Sequence, residues 1–295
     1  MISIITPTYN RADLLPRMIN SILAQTFKDW ELNIVDDGST DNTRQVIESF
    51  KDKRIKYHYT ENSGAADSRN KGVELAQYDN IIFLDSDDEV VSDWLDHFVE
   101  EIRINSAKVI SCGFEKYNSK GDCIQTVLPK NLGMMFNNIK ANFLAGTILY
   151  NKKYFVMSGG YDVNLRSGQH TELFLRLIKF IQEDNLIITT IDKPLVKVYL
   201  HDGLRIRHNS EALFQGSTQF IKKHNQLLID NPDKFIDYLS VAGVAAVRTK
   251  RYKEANSLFF QALKINKRII KSYLRLIISV IPVLRDKFWR NNNHN

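Results

Sequence analysis

Apolar and polar positions follow two rhythms along this chain. Short apolar runs at residues 2–6, 31–35, 55–58 and 80–84 read as strands, the last of them buried. Between them, at about 12–25, 40–50 and 65–76, apolar residues recur every three or four positions, the spacing of a helix with one buried face. Strand and helix in strict alternation predict a parallel sheet covered by helices. A helix over 93–105 follows, then strands at 108–115 and 124–128 around a turn at 118–122, where the sheet is expected to become mixed. One more strand at 143–150, a helix at 173–181 and a strand at 186–191 close a globular domain near residue 205.

Beyond it the strand rhythm stops. Helical spacing at 213–228, 235–247, 252–265 and 268–280 predicts an all-α appendage, dividing the chain into residues 1–205 and 206–295. Within the appendage, Ala242-Gly243, Tyr252, Glu254-Ala255, Phe259 and Ala262-Leu263 resemble a single tetratricopeptide unit, in which small residues let paired helices approach closely.

Composition narrows the class. The 295 residues carry a net charge of +6, concentrated after Lys250, and that basic end suggests an anionic partner. Two cysteines, Cys112 and Cys123, lack metal-type spacing and are read as core residues of a protein in a reducing compartment. There is no secretory leader and no apolar stretch long enough to span a bilayer, so a cytoplasmic location is expected. The amphipathic run 265–289 suits a helix lying on an anionic membrane, and equally a helix packed on its own protein with solvated charges. No nucleic-acid motif accompanies the charge.

Candidate chemistry gathers at the strand ends, where α/β sheets bind ligands. Thr6-Pro7-Thr8-Tyr9-Asn10 follows the first strand and offers hydroxyls and a ring on which a base can stack. Asp36-Asp37-Gly38-Ser39-Thr40-Asp41 follows the second; a helix cap needs one such residue, so a surplus carboxylate is left to accept the imide N–H of a uracil. After the third strand, Gly64 opens a helix bearing Arg69, both suited to phosphate. The fourth delivers Asp85-Ser86-Asp87-Asp88. Carboxylates this close repel each other unless a cation or backbone donors neutralise them.

These segments, together with Ser21-Ile22-Leu23-Ala24-Gln25-Thr26 and Asn62-Ser63-Gly64, resemble the family-two glycosyltransferases of the GT-A fold over about residues 1–205. The resemblance implies an α/β fold with a mixed, mostly parallel sheet between helices, and inverting transfer of a sugar from a nucleotide sugar, usually a UDP-sugar, to an acceptor hydroxyl. It implies that Pro7, Thr8, Tyr9, Asp36 or Asp37, Gly64, Arg69, Asp85 and Ser86 hold the nucleotide. Asp85-Ser86-Asp87 corresponds to a DxD motif binding Mn²⁺ or Mg²⁺ on the diphosphate, with His201 as a further ligand. The acceptor implied is a glycan or lipid-linked glycan in polysaccharide or lipopolysaccharide assembly, at the inner face of the cell membrane.

One departure stands out. The family commonly carries Glu-Asp before a helix rich in Leu and Arg, with the Asp as base, whereas this chain has Gln169-His170-Thr171-Glu172 and places His170 at the Asp position. Three readings stay open: His170 removes the proton, Glu172 does so, or the base is lost and the chain is a sugar-nucleotide binding module. A sugar-nucleotide nucleotidyltransferase would share sheet and metal, but calls for a Gly-rich loop after the first strand, where this chain has no glycine.

Overall fold

The computed structural model describes residues 1–200, 209–266 and 270–289. The first half builds β1 (Ile2–Thr8), α1 (Leu15–Leu23), β2 (Trp30–Asp36), α2 (Thr43–Ser49), β3 (Ile55–Tyr59), α3 (Ala65–Leu75), β4 (Asn80–Phe83), β5 (Glu89–Val90) and α4 (Trp94–Asn105). Then come β6 (Val109–Tyr117), β7 (Cys123–Val127), β8 (Lys130–Asn131), β9 (Lys140–Ala141), β10 (Ile148–Asn151), α5 (Lys152–Met157), α6 (Gln169–Leu177), α7 (Phe180–Glu183) and β11 (Ile188–Tyr199). Helices α8 (Ser210–Lys223), α9 (Asn225–Ile229), α10 (Pro232–Arg248), α11 (Tyr252–Ile265), α12 (Ile270–Val280) and α13 (Pro282–Trp289) complete the described chain.

The main sheet runs β3-β2-β1-β4-β10-β6-β11-β5, with β7 paired to β6. Strands β3, β2, β1 and β4 are parallel, as the alternation of strand and helix predicts; β10 then lies antiparallel to both β4 and β6 and makes the sheet mixed. Every residue of β1 and β2 is buried, the polar Ser3, Glu31 and Asn33 included: Ser3 Oγ donates to Glu31 Oε1 at 2.7 Å and Asn33 Oδ1 lies 3.1 Å from His58 Nε2. The core joins these strands to Met18, Ile19 and Ile22 of α1 and to Trp94, Leu95 and Phe98 of α4. Gln25, wholly buried, ties the two helices: its Nε2 donates to Val91 O at 2.7 Å and its Oε1 accepts from Leu95 N at 3.1 Å.

Three expectations are corrected. The strand expected at 143–150 begins only at Ile148, because Thr147 Oγ1 donates to Leu144 O at 2.8 Å and closes a turn before it. The strand expected to stop at residue 191 continues to Tyr199, passing Pro194 by shifting register against β6, the kind of irregularity that lets a sheet tolerate a proline. Cys112 is buried, but Cys123 lies exposed on β7 and is not a core residue.

Two compact units are present, one of residues 1–163 and 170–202, the other of 164–169 and 203–295. The expected boundary at residue 205 lies outside the described residues. In the helical unit α10 meets α11 through small residues, Ala242, Ala246, Ala255 and Ala262, all fully buried. A Cβ on Gly243 would stand 2.5 Å from the ring of Phe259, so this contact requires glycine.

A similar approach occurs in α3, where a Cβ on Gly72 would run into Cγ2 of the buried Ile5. Gly72→Ala gains about 1 kcal/mol of helix propensity, but forcing a methyl against a β-branched strand residue costs about 1–3 kcal/mol. The expected net result is a loss of about 1 kcal/mol, read as a lower urea midpoint at unchanged slope.

Candidate active site

The carboxyl ends of β1, β2 and β3 are level, with Thr8 beside Asp36 and Asp36 beside Tyr59 in the ladder. The loops beyond them are stitched together. Asn10 Oδ1 accepts from Thr40 N at 2.8 Å and Asn10 N donates to Ser39 Oγ at 2.8 Å. Asn10 holds φ at 50°, a left-handed conformation that Asn tolerates better than most residues.

Both carboxylates after β2 have protein donors. Asp36 accepts from Ser39 N at 2.9 Å and from Tyr57 OH at 2.8 Å; burial, and then this bond, pushes the Tyr57 phenol well up. Asp37 accepts from Ser63 N at 2.8 Å and Gly64 N at 2.9 Å, so the two residues leading into α3 already hold a protein carboxylate. Pro7 is buried within β1, Tyr9 is 47% exposed, and the buried Thr8 Oγ1 has no partner among the described residues.

Beyond β4, Asp85, Asp87 and Asp88 bring carboxylate oxygens within 4.8 Å of one another. Asp88 joins this cluster although the sequence reading confined the metal ligands to Asp85, Asp87 and His201. The turn that gathers them is closed by Asp88 N donating to Asp85 O at 3.2 Å, with Ser86 buried inside it. Arg17 of α1 reaches the backbone oxygen of Asp87 and lies over the Tyr199 ring at 3.8 Å. Three carboxylates are hard oxygen donors of the kind that Mg²⁺ and Mn²⁺ take, so the residues present fit the implied cation.

Arg69 and Asn70, neighbours on α3, connect this cluster to the opposite side of the site. Arg69 is 7% exposed and donates to Asp85 Oδ1 at 2.7 Å, with its guanidinium 5.6 Å from the Tyr161 ring centre. Asn70 clamps the backbone of Tyr161 at two points, accepting from its N at 2.8 Å and donating to its O at 2.9 Å. A Cβ on Gly160, at φ 65°, would stand 2.8 Å from Asn70 Oδ1, so the clamp needs glycine there. Tyr161 packs edge-on to Phe83 and Phe155, and its hydroxyl lies 2.8 Å from Nδ1 of the half-buried His170.

His170 thus stands on the same group of residues as Asp85. Its pKa is lowered to about 3, first by desolvation and then by the Arg69 charge, with Asp85 acting in the opposite sense. Glu172 has a different setting. Its side chain is wholly buried and bonds Arg176 through both oxygens, at 2.7 and 3.0 Å; Arg176 in turn donates to the carbonyls of Ser158 and Gly160. His201, with Arg205, Arg207 and His208, lies outside the described residues. In the sequence Gly159-Gly160-Tyr161-Asp162 resembles the family's acceptor-side loop and Arg69-Asn70 one of its motifs, but neither Tyr161 nor Asn70 had a role of its own there.

The family model described as "Glycosyl transferase family 2" matches residues 3–166. The GalNAc(5)-diNAcBac-PP-undecaprenol beta-1,3-glucosyltransferase of Campylobacter jejuni is 26% identical over an alignment of 302 residues, covering 95% of this chain and 94% of that protein. An uncharacterized glycosyltransferase of Rickettsia felis is 29% identical over 272 residues, covering 88% of this chain, which spans only 43% of that relative's length. The structure of S. aureus TarS 1–349 in complex with UDP-GlcNAc superposes with a TM-score of 0.62 at 15% identity, covering 97% of this chain and 91% of that one, a likeness of fold. The chain belongs to glycosyl transferase family 2, with a GT-A type fold and a C-terminal helical region.

The unfolded chain takes up a proton on His170 near the ordinary value of 6.5, and the folded chain only at about 3. Between those values the unfolded state binds more protons, so this group lowers stability as pH falls from 6.5 towards 3 and contributes nothing above it. The His170 ring resonances are expected not to titrate between about pH 5 and 7 in heteronuclear NMR, where an ordinary imidazole does.

Proposed function

We propose that this chain transfers a sugar, with inversion, from a UDP-sugar to a hydroxyl of a glycan or lipid-linked glycan during surface polysaccharide or lipopolysaccharide assembly at the inner face of the membrane. The observation that carries the reading is the cluster Asp85, Asp87 and Asp88 at the carboxyl end of a parallel strand, joined through Arg69 to the pocket of His170. Support for the donor comes from the fold shared with a protein solved with UDP-GlcNAc. Support for a lipid-linked acceptor comes from the Campylobacter relative, named for a glycan on undecaprenol diphosphate.

In this reading Thr8, Tyr9 and the loop of Asp36 and Asp37 receive the nucleoside. Tyr9 offers an exposed face for stacking and Thr8 a hydroxyl still able to bond. Pro7, buried in its strand, and Gly64, whose N–H is held by Asp37, shape this pocket from behind. Asp85 and Asp87, with Asp88, would hold Mn²⁺ or Mg²⁺, which offsets the charge that gathers on the departing diphosphate. Arg69 orients Asp85 by donating to its Oδ1, and Ser86 packs inside the same turn.

His170 takes the acceptor proton. To do so the ring keeps its own proton on Nδ1, given to Tyr161 Oη, and presents the Nε2 lone pair. Its lowered pKa holds it neutral, the state in which a base must start, at some cost in driving force. Glu172 fixes the 158–160 turn through Arg176 and so places Tyr161, a structural part rather than that of the base.

Calorimetry is expected to show UDP binding that strengthens with Mn²⁺, and Asp87→Ala to abolish that metal dependence; UDP affinity indifferent to metal defeats the reading. His170→Ala is expected to slow UDP release from a productive donor–acceptor pair by about a hundredfold while UDP affinity holds. Turnover unchanged in that variant removes His170 as base. Metal-dependent UDP binding with no turnover on any donor and acceptor would favour the binding-module alternative.

A further inference from the structure

Helix α12 wears its polarity inside out. Its inward side is fastened by polar bonds: Arg275 Nη1 donates to Ser240 Oγ on α10 at 2.7 Å, and Ser279 Oγ to Asn256 Oδ1 on α11 at 2.6 Å. Between these anchors Leu276 packs against the small cluster that includes Phe259 and Ala246. The outward side carries Ile270, Leu274, Ile277 and, just past the helix end, Ile281, between 41% and 74% exposed. Their spacing of four, three and four residues places them on one face. Val283 and Phe288 of α13 are exposed as well. Scattered apolar residues on a surface mean little, whereas a continuous stripe marks a contact.

The charge around this stripe identifies the contact. Residues 264–290 contain eight Lys or Arg and a single acid, Asp286. Two of the cations turn inward, Arg275 to Ser240 and Arg285 over the Tyr252 ring at 3.7 Å, while Lys264, Lys271 and Lys287 remain exposed. A second copy docking through the same face would bring like charges together. Among the described residues no helix is long and apolar enough to cross a membrane.

We infer that the outward face of α12, continued by the exposed residues of α13, lies in the interface of an anionic lipid bilayer. The stripe from Ile270 to Ile281 enters the acyl boundary. Tyr273, 43% exposed, sits at headgroup level, and the lysine ammonium groups meet lipid phosphates. This names the surface behind the membrane location in the proposed function and rests on that reading for its purpose, but not for its test.

The full chain is floated with vesicles of phosphatidylglycerol mixed with phosphatidylcholine, and with phosphatidylcholine alone, at low and high salt. The expected result is flotation with the anionic vesicles only, released by salt, and reduced about tenfold or more by Leu274→Glu with Ile277→Glu. Replacing Lys264, Lys271 and Lys287 by Gln is expected to remove the anionic preference in a chain whose thermal melting is unchanged, so the proposal survives a glutamate variant that fails to fold. Failure of the wild type to float, indifference to the lysine changes, or a lipid-free dimer that the glutamate variant dissociates would each overturn it. Metal-dependent UDP affinity measured on the same preparations reports the enzymatic reading separately, so either can fail alone.

Discussion

A guanidinium removed from water has to be paired, and the pairing of Arg69 with Asp85 organises the whole site. Unpaired, either charge would carry a desolvation penalty of several kcal/mol; together they fix the end of β4 against α3. Asn70, the next residue on the helix, fixes Tyr161 by its backbone, and Tyr161 meets His170. One turn of α3 therefore sets both the acidic cluster and the imidazole. The helix in turn is seated by Gly72 against β1 and by the Asp37 carboxylate on the N–H groups of Ser63 and Gly64, the two residues leading into it.

The parallel half of the fold could be read from the sequence because short apolar strands alternate with segments of helical spacing and its loops carry Gly, Asn and Asp. Where physical context overrides pattern, the reading stopped short. Pro194 looks like a strand breaker, yet β11 runs past it by slipping register on β6. Two-residue strands such as Glu89–Val90 exist only through their partners, here Val196 and Lys197 of β11, and have no periodicity of their own.

The acidic cluster was visible as surplus charge after an apolar run, but its partners were not. Arg69 and Asp85 are sixteen residues apart, and only the sheet brings them together. The contact of Tyr161 with His170 and the burial of Glu172 against Arg176 likewise depend on tertiary packing. Periodicity showed an amphipathic run near the C-terminus. It could not say that in α12 Arg275 and Ser279 would point inward, because a helical pattern records that two faces differ and not which one meets a neighbour.

The stitching of the first three loops bears on the order of events at this rim. Asn10 holds Ser39 and Thr40, Asp37 holds Ser63 and Gly64, and Asn62 Nδ2 donates to Asp37 O at 2.9 Å, so these turns are fixed by one another. A ligand arriving there meets a surface already made and forfeits little ordering entropy. The β6–β7 hairpin has less to hold it: its tip at 118–122 is bonded chiefly within itself, and β7 is exposed along most of its length. Binding that needed this hairpin to settle would bear an entropic charge, so a two-ligand reaction on this scaffold would favour filling the rigid rim first.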